Sequence, residues 1–382
     1  MPRLSALTLA VALAVGSLTA QAAPLPQEHT LGQLEPVFAF QDAMPTGVTV
    51  SETGRIFVNY PRWDDAVPFT VAELKDGKAV PYPDAALNVE TPGQPGKGFI
   101  SVQSVVADGR GHLWVLDTAA PGFAAPKAGG AKLVAIDLKT NQVVKTLVFP
   151  AAVLEPKSYV NDVRFDFRVG RAGVAYVTDS APPGGLIVLD LATGQAQRRL
   201  TGAPQANVDP SFAPVVEGEP LLMQRPDGSK VRPAIASDGI ALSPDGGTLY
   251  FSPLSSRHLY AVPTALLRDP KASEAQVRAG VQDLGEKGAS DGLEADAQGR
   301  VYAGDYEHNA VRQRQADGSW KTLVHDPRVL WPDTFSIGPD GYLYFTANQL
   351  HRQAQFHGGQ DLRQKPYSLF RVKIDAQPAP TH

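Results

Sequence analysis

One unit recurs six times along this chain, and that recurrence leaves few folds open to it. In each copy a polar residue is followed, usually five places on, by Asp or Ser. A glycine-containing turn and an aromatic residue come next. Thr46 leads to Ser51, Gly54 and Phe57; Gln103 leads to Asp108, Gly111 and Trp114; Asn161 leads to Asp166, Gly170 and Tyr176. Asp238 leads to Ser243, Gly246 and Tyr250; Asp291 leads to Asp296, Gly299 and Tyr302; Asp333 leads to Gly338, Gly341 and Tyr344. The aromatic falls 11 residues after the lead residue in four copies, 12 in one and 15 in one, so the turn absorbs the extra residues. Each copy reads as a β-hairpin. Ile240 and Leu242 alternate with small or polar neighbours, Ser243-Pro244-Asp245-Gly246 turns the chain, and Leu249-Tyr250-Phe251 begins the return strand.

A third strand is predicted in every copy: Phe69–Leu74, Leu133–Leu138, Leu186–Leu191, His258–Val262, Ala310–Gln315 and Leu369–Ile374. A fourth follows in five, near Ala79–Val89, Val143–Pro150, Gln195–Leu200, Val277–Leu284 and Trp320–Val324. The sixth copy runs out of chain first. The strand-like segment Leu34–Phe40 belongs to no other copy and is expected to supply the missing strand. The expected fold is therefore all-β: a six-bladed β-propeller over residues 23–375, closed by an N-terminal strand that completes the last blade. Closure removes the exposed sheet edges that invite aggregation. Residues 376–382 form a Pro-containing tail expected to fray. The long insertion Thr201–Ala236 is expected to hold a hairpin around Arg225-Pro226-Asp227-Gly228, and Pro263–Arg268 and Ser273–Val277 read as short helical turns.

The N-terminus carries a different signal. Arg3, the apolar run Leu4 to Leu18, and Ala20-Gln21-Ala22 match a signal peptide over residues 1–22. A secreted or periplasmic product is the expectation, without membrane insertion. With no Cys, the fold rests on burial and sheet pairing alone. A formal net charge of −4 gives no reason to expect a nucleic-acid partner.

Strand direction alternates within a blade, so all six lead residues open the innermost strands at one end of the channel. The connections on that face, such as Thr118–Gly130 and Gln349–Lys365, are long, whereas turns on the other face are mostly short. Long loops on a rigid scaffold are the usual place for binding. The expected small-molecule site is thus Thr46, Gln103, Asn161, Asp238, Asp291 and Asp333, with Asp162 beside Asn161. At an effective dielectric of ~20 and a separation of ~6 Å, each carboxylate pair costs roughly 3 kcal/mol. A proton, a metal ion or a ligand cation relieves that repulsion. Asp238 and Asp291 are candidate catalytic acids or bases; Asn161, Asp238 and Asp291 are candidate ligands for Ca²⁺ or another divalent cation. The bland alternative is that these Asp side chains only tie down backbone N–H groups at strand starts. Arg62 and Trp63 offer a cation and a stacking surface at the mouth, and Glu307 and His308 lie in a connection on the same face. His351 and His357 match no standard metal spacing, and no phosphate loop, HExxH motif or nucleophile elbow is present.

Several segments go beyond the generic propeller pattern. Gly54–Trp63 (GRIFVNYPRW), Asp108–Asp117 (DGRGHLWVLD), Asn161–Asp166 (NDVRFD), Ser237–Tyr260 (SDGIALSPDGGTLYFSPLSSRHLY), YEHNAV within Lys287–Val311, and WPDT and NQL within Trp331–Leu350 together resemble the major royal jelly protein / Yellow family. The resemblance spans nearly the whole chain after residue 22. It implies a secreted six-bladed propeller, dopachrome conversion as in pigmentation members, or amine binding at the channel mouth as in salivary members. More distantly, the repeats are similar to the gluconolactonase / senescence marker protein propellers, which hold a divalent metal with a Glu, two Asn and an Asp. Asn161 and Asp291 match two of those positions, Asp238 stands for the other Asn, and the Met44–Gly47 region has no carboxylate. Three readings follow: a ligand-binding protein with possible isomerase chemistry on aromatic amines, a metal-dependent lactonase or esterase, and a non-catalytic envelope protein that binds a macromolecule.

Overall fold

The computed structural model describes Leu25, residues 30–63 and residues 65–382; the segment read as a signal peptide lies outside them. Six four-stranded antiparallel sheets stand around a channel. Blade 1 is Val48–Val50, Ile56–Asn59, Val71–Lys75 and Lys78–Pro81; blade 2 is Val102–Ala107, His112–Asp117, Lys132–Asp137 and Gln142–Val148. Blade 3 is Val160–Asp166, Val174–Asp179, Gly185–Asp190 and Ala196–Arg199; blade 4 is Ser237–Leu242, Thr248–Pro253, His258–Pro263 and Gln282–Glu286. Blade 5 is Leu293–Ala295, Val301–Asp305, Ala310–Arg314 and Trp320–His325. Blade 6 is Pro332–Ile337, Tyr342–Ala347 and Tyr367–Lys373, and its outer strand is Leu34–Phe40, paired from Leu34↔Val372 to Phe40↔Tyr367.

The β-branched and aromatic residues of these strands face the neighbouring blade, so the core is a ring of interfaces rather than one mass. Phe57, Phe99 and Val115 fill the first gap, Trp114 and Phe165 the second, Tyr176 and Phe251 the third. Leu259 and Leu293 fill the fourth, Tyr302 and Phe335 the fifth, Phe40 and Tyr344 the sixth. The innermost strands pack closely where blades 4, 5 and 6 meet. A Cβ on Gly239 would lie 2.4 Å from the Asp291 carbonyl oxygen, and one on Gly292 would lie 2.5 Å from that of Asp333. Only glycine fits after those two lead residues.

Three expectations are corrected. The outer strand of blade 1 stops at Pro81, because Pro81 and Pro83 have no N–H to donate to the ladder. In blade 4 the outer strand begins only at Gln282 rather than at Val277, because the helical turn expected from Ser273, capped by a Ser273/Gln276 box, runs on as Glu274–Ala279. The tail is not frayed. It crosses the channel at the end opposite the lead residues: Ala297 N donates to Gln377 O, Ala379 N to Ala295 O, Phe167 N to Thr381 O, and Thr381 Oγ1 to Asp108 O. Its prolines need few partners, and its remaining groups bond to blades 2, 3, 5 and 6.

The insertion after blade 3 holds two hairpins. Met223–Gln224 pairs with Lys230–Val231 around the expected turn, and Val215–Val216 pairs with Glu219–Pro220.

Candidate functional site

The six lead residues converge at one end of the channel and are all buried, from 0% exposed at Thr46 to 7% at Gln103, Asn161 and Asp291. Their side chains divide into two halves. On the acidic half, Asn161 Nδ2 donates to Asp238 Oδ2 (2.8 Å) and to Ser180 Oγ (3.1 Å). The carboxyls of Asp238 and Asp291 meet on the axis and interact with each other. Trp331 Nε1 donates to Asp291 Oδ2 (2.7 Å), and Asn348 Nδ2 and Thr334 Oγ1 donate to Asp333 (2.6 and 3.1 Å). On the neutral half, Asn59 Nδ2 donates to Thr46 Oγ1 (3.0 Å) and to the Gln103 carbonyl (2.9 Å). Tyr159 OH donates to Gln103 Oε1 (2.8 Å), and Trp63 Nε1 donates to Tyr159 OH (2.7 Å). Phe123 lies against both rings, with centroids 4.9 Å from Trp63 and 5.2 Å from Tyr159.

Two functional partners, Tyr159 and Trp331, escaped the reading of the repeat. Each lies two residues before a lead residue, Asn161 or Asp333, on the loop that enters its blade. Each donates back to the lead residue of the preceding blade. The signal was present as an aromatic at the same offset in two copies, but four copies lack it.

Two buried carboxyls that meet repel each other when both are ionised. Burial pushes Asp238 well above the ordinary carboxyl range, and the nearby Asp291, Asp162 and Asp333 push it further. Burial also raises Asp291, to about 6; the Trp331 N–H opposes that rise and Asp162 adds to it. Asp333 is raised by burial, then by Asp291 and Asp162. Asp162 occupies the position where blades 4 and 5 have glycine, and burial raises it while Arg164 pulls it down. Lys287, fully buried beyond Asp291, is lowered to about 7 by burial against the pull of Asp305. Burial and mutual repulsion therefore favour retention of a proton within the cluster.

The remaining candidates do other work. Arg62 donates to the carbonyls of Ile100, Asn88 and Phe99, and so anchors loops rather than facing the ring. Glu307 accepts from Arg257 and from the Val215 N–H. His308 Nδ1 is 2.8 Å from Asp305 Oδ1. Above the acidic half lies a cap that sequence reading missed. Phe212, Val216 and Leu221 of the insertion pack on Tyr306, Trp331 and Leu350. Tyr306 stacks on Trp331 at 3.9 Å, and Glu217 clasps His351 and Arg352.

Asn161, Asp238 and Asp291 do not fit a divalent ion as arranged. Asn161 presents its N–H₂ to Asp238, and the neutral Thr46 stands where a further carboxylate would be needed. Among the described residues no three His, Asp or Glu side chains gather at metal-holding distance.

Comparison with known proteins agrees with this architecture. A gluconolactonase from Xanthomonas campestris superposes with a TM-score of 0.53 at 15% identity, covering 90% of each chain. Virginiamycin B lyase from Staphylococcus aureus gives 0.51 at 14% identity, over 90% of this chain and 99% of that one. At such identities these likenesses concern the fold alone. In sequence, Protein yellow of Drosophila madeirensis is 28% identical over 308 residues, 72% of this chain, and the chain spans about half (51%) of the length of that relative. The family model for the major royal jelly protein matches residues 100–379, from just before blade 2 through blade 6 and into the tail. With the propeller, its closing strand and that match together, the chain belongs to the major royal jelly protein family.

Proposed function

We propose that this protein, exported as its N-terminal segment implies, binds a small aromatic amine at the acidic end of the channel and isomerises it by proton transfer, as in dopachrome conversion. The observation that carries this reading is the Asp238–Asp291 pair: two buried carboxyls side by side, one of them accepting from the Trp331 N–H. An ammonium group neutralises a carboxylate held there. Trp63 and Phe123, the latter 53% exposed, form the aromatic edge at which a ring system enters. In the isomerisation a C–H bond of the substrate breaks and its proton passes to Asp291. Asp238 delivers its proton to a substrate oxygen, so the step is redox-neutral. Metal-dependent lactone hydrolysis has less support, because the donor set does not fit.

Dopachrome decay followed spectrophotometrically tests the chemistry. Asp291→Asn should lower the rate by about 10²–10⁴-fold, the usual contribution of a positioned acid or base. Dopamine should raise the melting temperature at pH 8 and lose that effect below pH 6, where Asp291 takes up a proton. No acceleration by the native protein, together with no stabilisation by any aromatic amine, overturns the reading.

A further inference from the structure

A groove runs down the seam where the ring closes. One wall is the closing strand, through Phe38, Phe40 and the Asp42 that follows it. The other is blade 1, through Tyr60 and Phe69 at the end nearer the lead residues and Lys78 at the far end. The volume, about 350 Å³, falls in the range of ligand pockets, roughly 300–1,000 Å³. A bulge shapes the first wall: the pairing with Tyr367–Lys373 shifts register between Pro36 and Phe38 and leaves Val37 unpaired. Bulges re-aim the side chains beside them, and here Phe38 and Phe40 share one face of the strand. Four rings meet in the groove. Tyr60 stands nearly perpendicular to Phe40 (centroids 6.1 Å, 79°) and to Phe69 (5.8 Å, 79°), and Phe38 lies 4.8 Å from Phe40. Phe38 and Phe69 are only half-buried, so part of each ring stays open. Rings set at right angles make a corner, and such corners hold organic cations.

Two polar groups at this corner are unused. Tyr60 is 3% exposed, and its hydroxyl makes no hydrogen bond among the described residues, yet it is not sealed off, for the residue lines the groove. Every other buried tyrosine except Tyr367 hydrogen-bonds through its hydroxyl. Tyr367 interacts with the Arg363 guanidinium and lies outside the groove. Burial, and then Asp42, push the pKa of Tyr60 up, so its hydroxyl keeps its proton and can donate. The Asp42 carboxylate is exposed on the rim and pairs with no cation among the described residues. Lys78 pairs with Lys75, four residues of strand below Val71, roughly 13 Å away at 3.3 Å per residue. The end at Tyr60 therefore offers ring surface, a negative charge and one donor. A cation that carries an oxygen acceptor answers all three, whereas an anion meets Asp42. Ring surfaces take methyl groups more readily than N–H groups, which favours a methylated nitrogen.

We propose that this end of the seam groove is a second binding site, separate from the acidic ring, for a small methylated ammonium compound bearing a hydroxyl or ester oxygen. Its head packs against Phe40, Tyr60 and Phe69, Asp42 answers its charge, and its oxygen accepts from the Tyr60 hydroxyl.

Choline and dimethylbutanol, the neutral isostere in which carbon replaces the nitrogen, serve as probes in calorimetric titration of the protein. Choline should bind about tenfold more tightly, as a cation over aromatic rings implies. Asp42→Asn should weaken choline about fivefold and leave the alcohol unchanged, since one exposed charge pair is lost. Tyr60→Phe should weaken choline about fivefold through the lost hydrogen bond, and leave tetramethylammonium, which has no oxygen, unchanged. Asp291→Asn should alter none of these affinities, which separates the groove from the acidic ring. No binding of choline at millimolar concentration, equal affinity for choline and the alcohol, or choline affinity unchanged in Asp42→Asn or Tyr60→Phe overturns the proposal. Loss of choline binding in Asp291→Asn overturns it too, by placing the cation on the axis. Should Tyr60→Phe fail to fold, Asp42→Asn, at an exposed position, still decides.

Discussion

Asp291 carries the clearest consequence at the scale of single residues. Its carboxyl titrates at about 6 in the folded protein, against an ordinary value of 3.8. Between those values the native state holds a proton that the unfolded chain has released, so stability falls as pH rises through the window. The cost is fully present above pH 6 and absent below pH 4. Asp291→Asn keeps an acceptor for Trp331 and removes the charge. Thermal unfolding at pH 4, 6 and 8 should show it more stable than the native protein at pH 8, with the gain fading to nothing by pH 4. A variant less stable at pH 8 would contradict the burial argument. The six lead residues were legible in sequence because they occupy one position of a repeat. Their partners were not: Asn348 reaches Asp333 from the next strand of its own blade, and Trp331 reaches Asp291 across a blade boundary. Arg62 looked like a mouth residue by its place in a loop, but a guanidinium satisfies nearby carbonyls as readily as a ligand, and only coordinates tell which.

Among the elements, the insertion of residues 201–236 changes the character of the mouth. Its turn at Arg225–Gly228 was visible as a turn sequence; its second hairpin, two residues per arm around Glu217-Gly218, was too short to leave a pattern. That the insertion folds over Trp331 and Tyr306 depends on contacts with blades 4, 5 and 6, distant in sequence. Its hold on the mouth runs through few bonds, one of them Val215 N–H to Glu307. Glu307→Gln weakens that acceptor and the pair with Arg257. Hydrogen exchange at Val215 should accelerate by about tenfold, as loss of one charge-assisted bond implies, while Ile240 on the inner strand of blade 4 stays protected. Equal exchange at Val215 in both proteins would show that apolar packing and the Glu217 pairs hold the cap without the Glu307 bond.

For the whole molecule, the decisive contact joins the two ends of the chain. Leu34–Phe40 is the outer strand of blade 6, and Phe40 also fills the core between blades 6 and 1. Without it, Tyr367–Lys373 becomes an exposed edge and the gap beside blade 1 loses part of its core. Deletion of residues 34–40 should lower the melting temperature sharply and shift the protein to aggregates in size-exclusion chromatography. A monomer of unchanged stability would mean that the ring closes through its inner strands alone.

The sequence by itself determined the number of blades, the strand that closes them, and which six residues meet on the axis. Those features follow from local periodicity, which repeats and so can be read from one chain. Only the tertiary structure decided which carboxyls meet, what covers the acidic ring, and that residues 377–382 close the opposite end. Each of these rests on contacts between residues far apart in the chain, made once, with no repeat to announce them. The tail shows the difference most plainly: its composition reads as an end that frays, yet the acceptors and donors of four blades hold it across the channel.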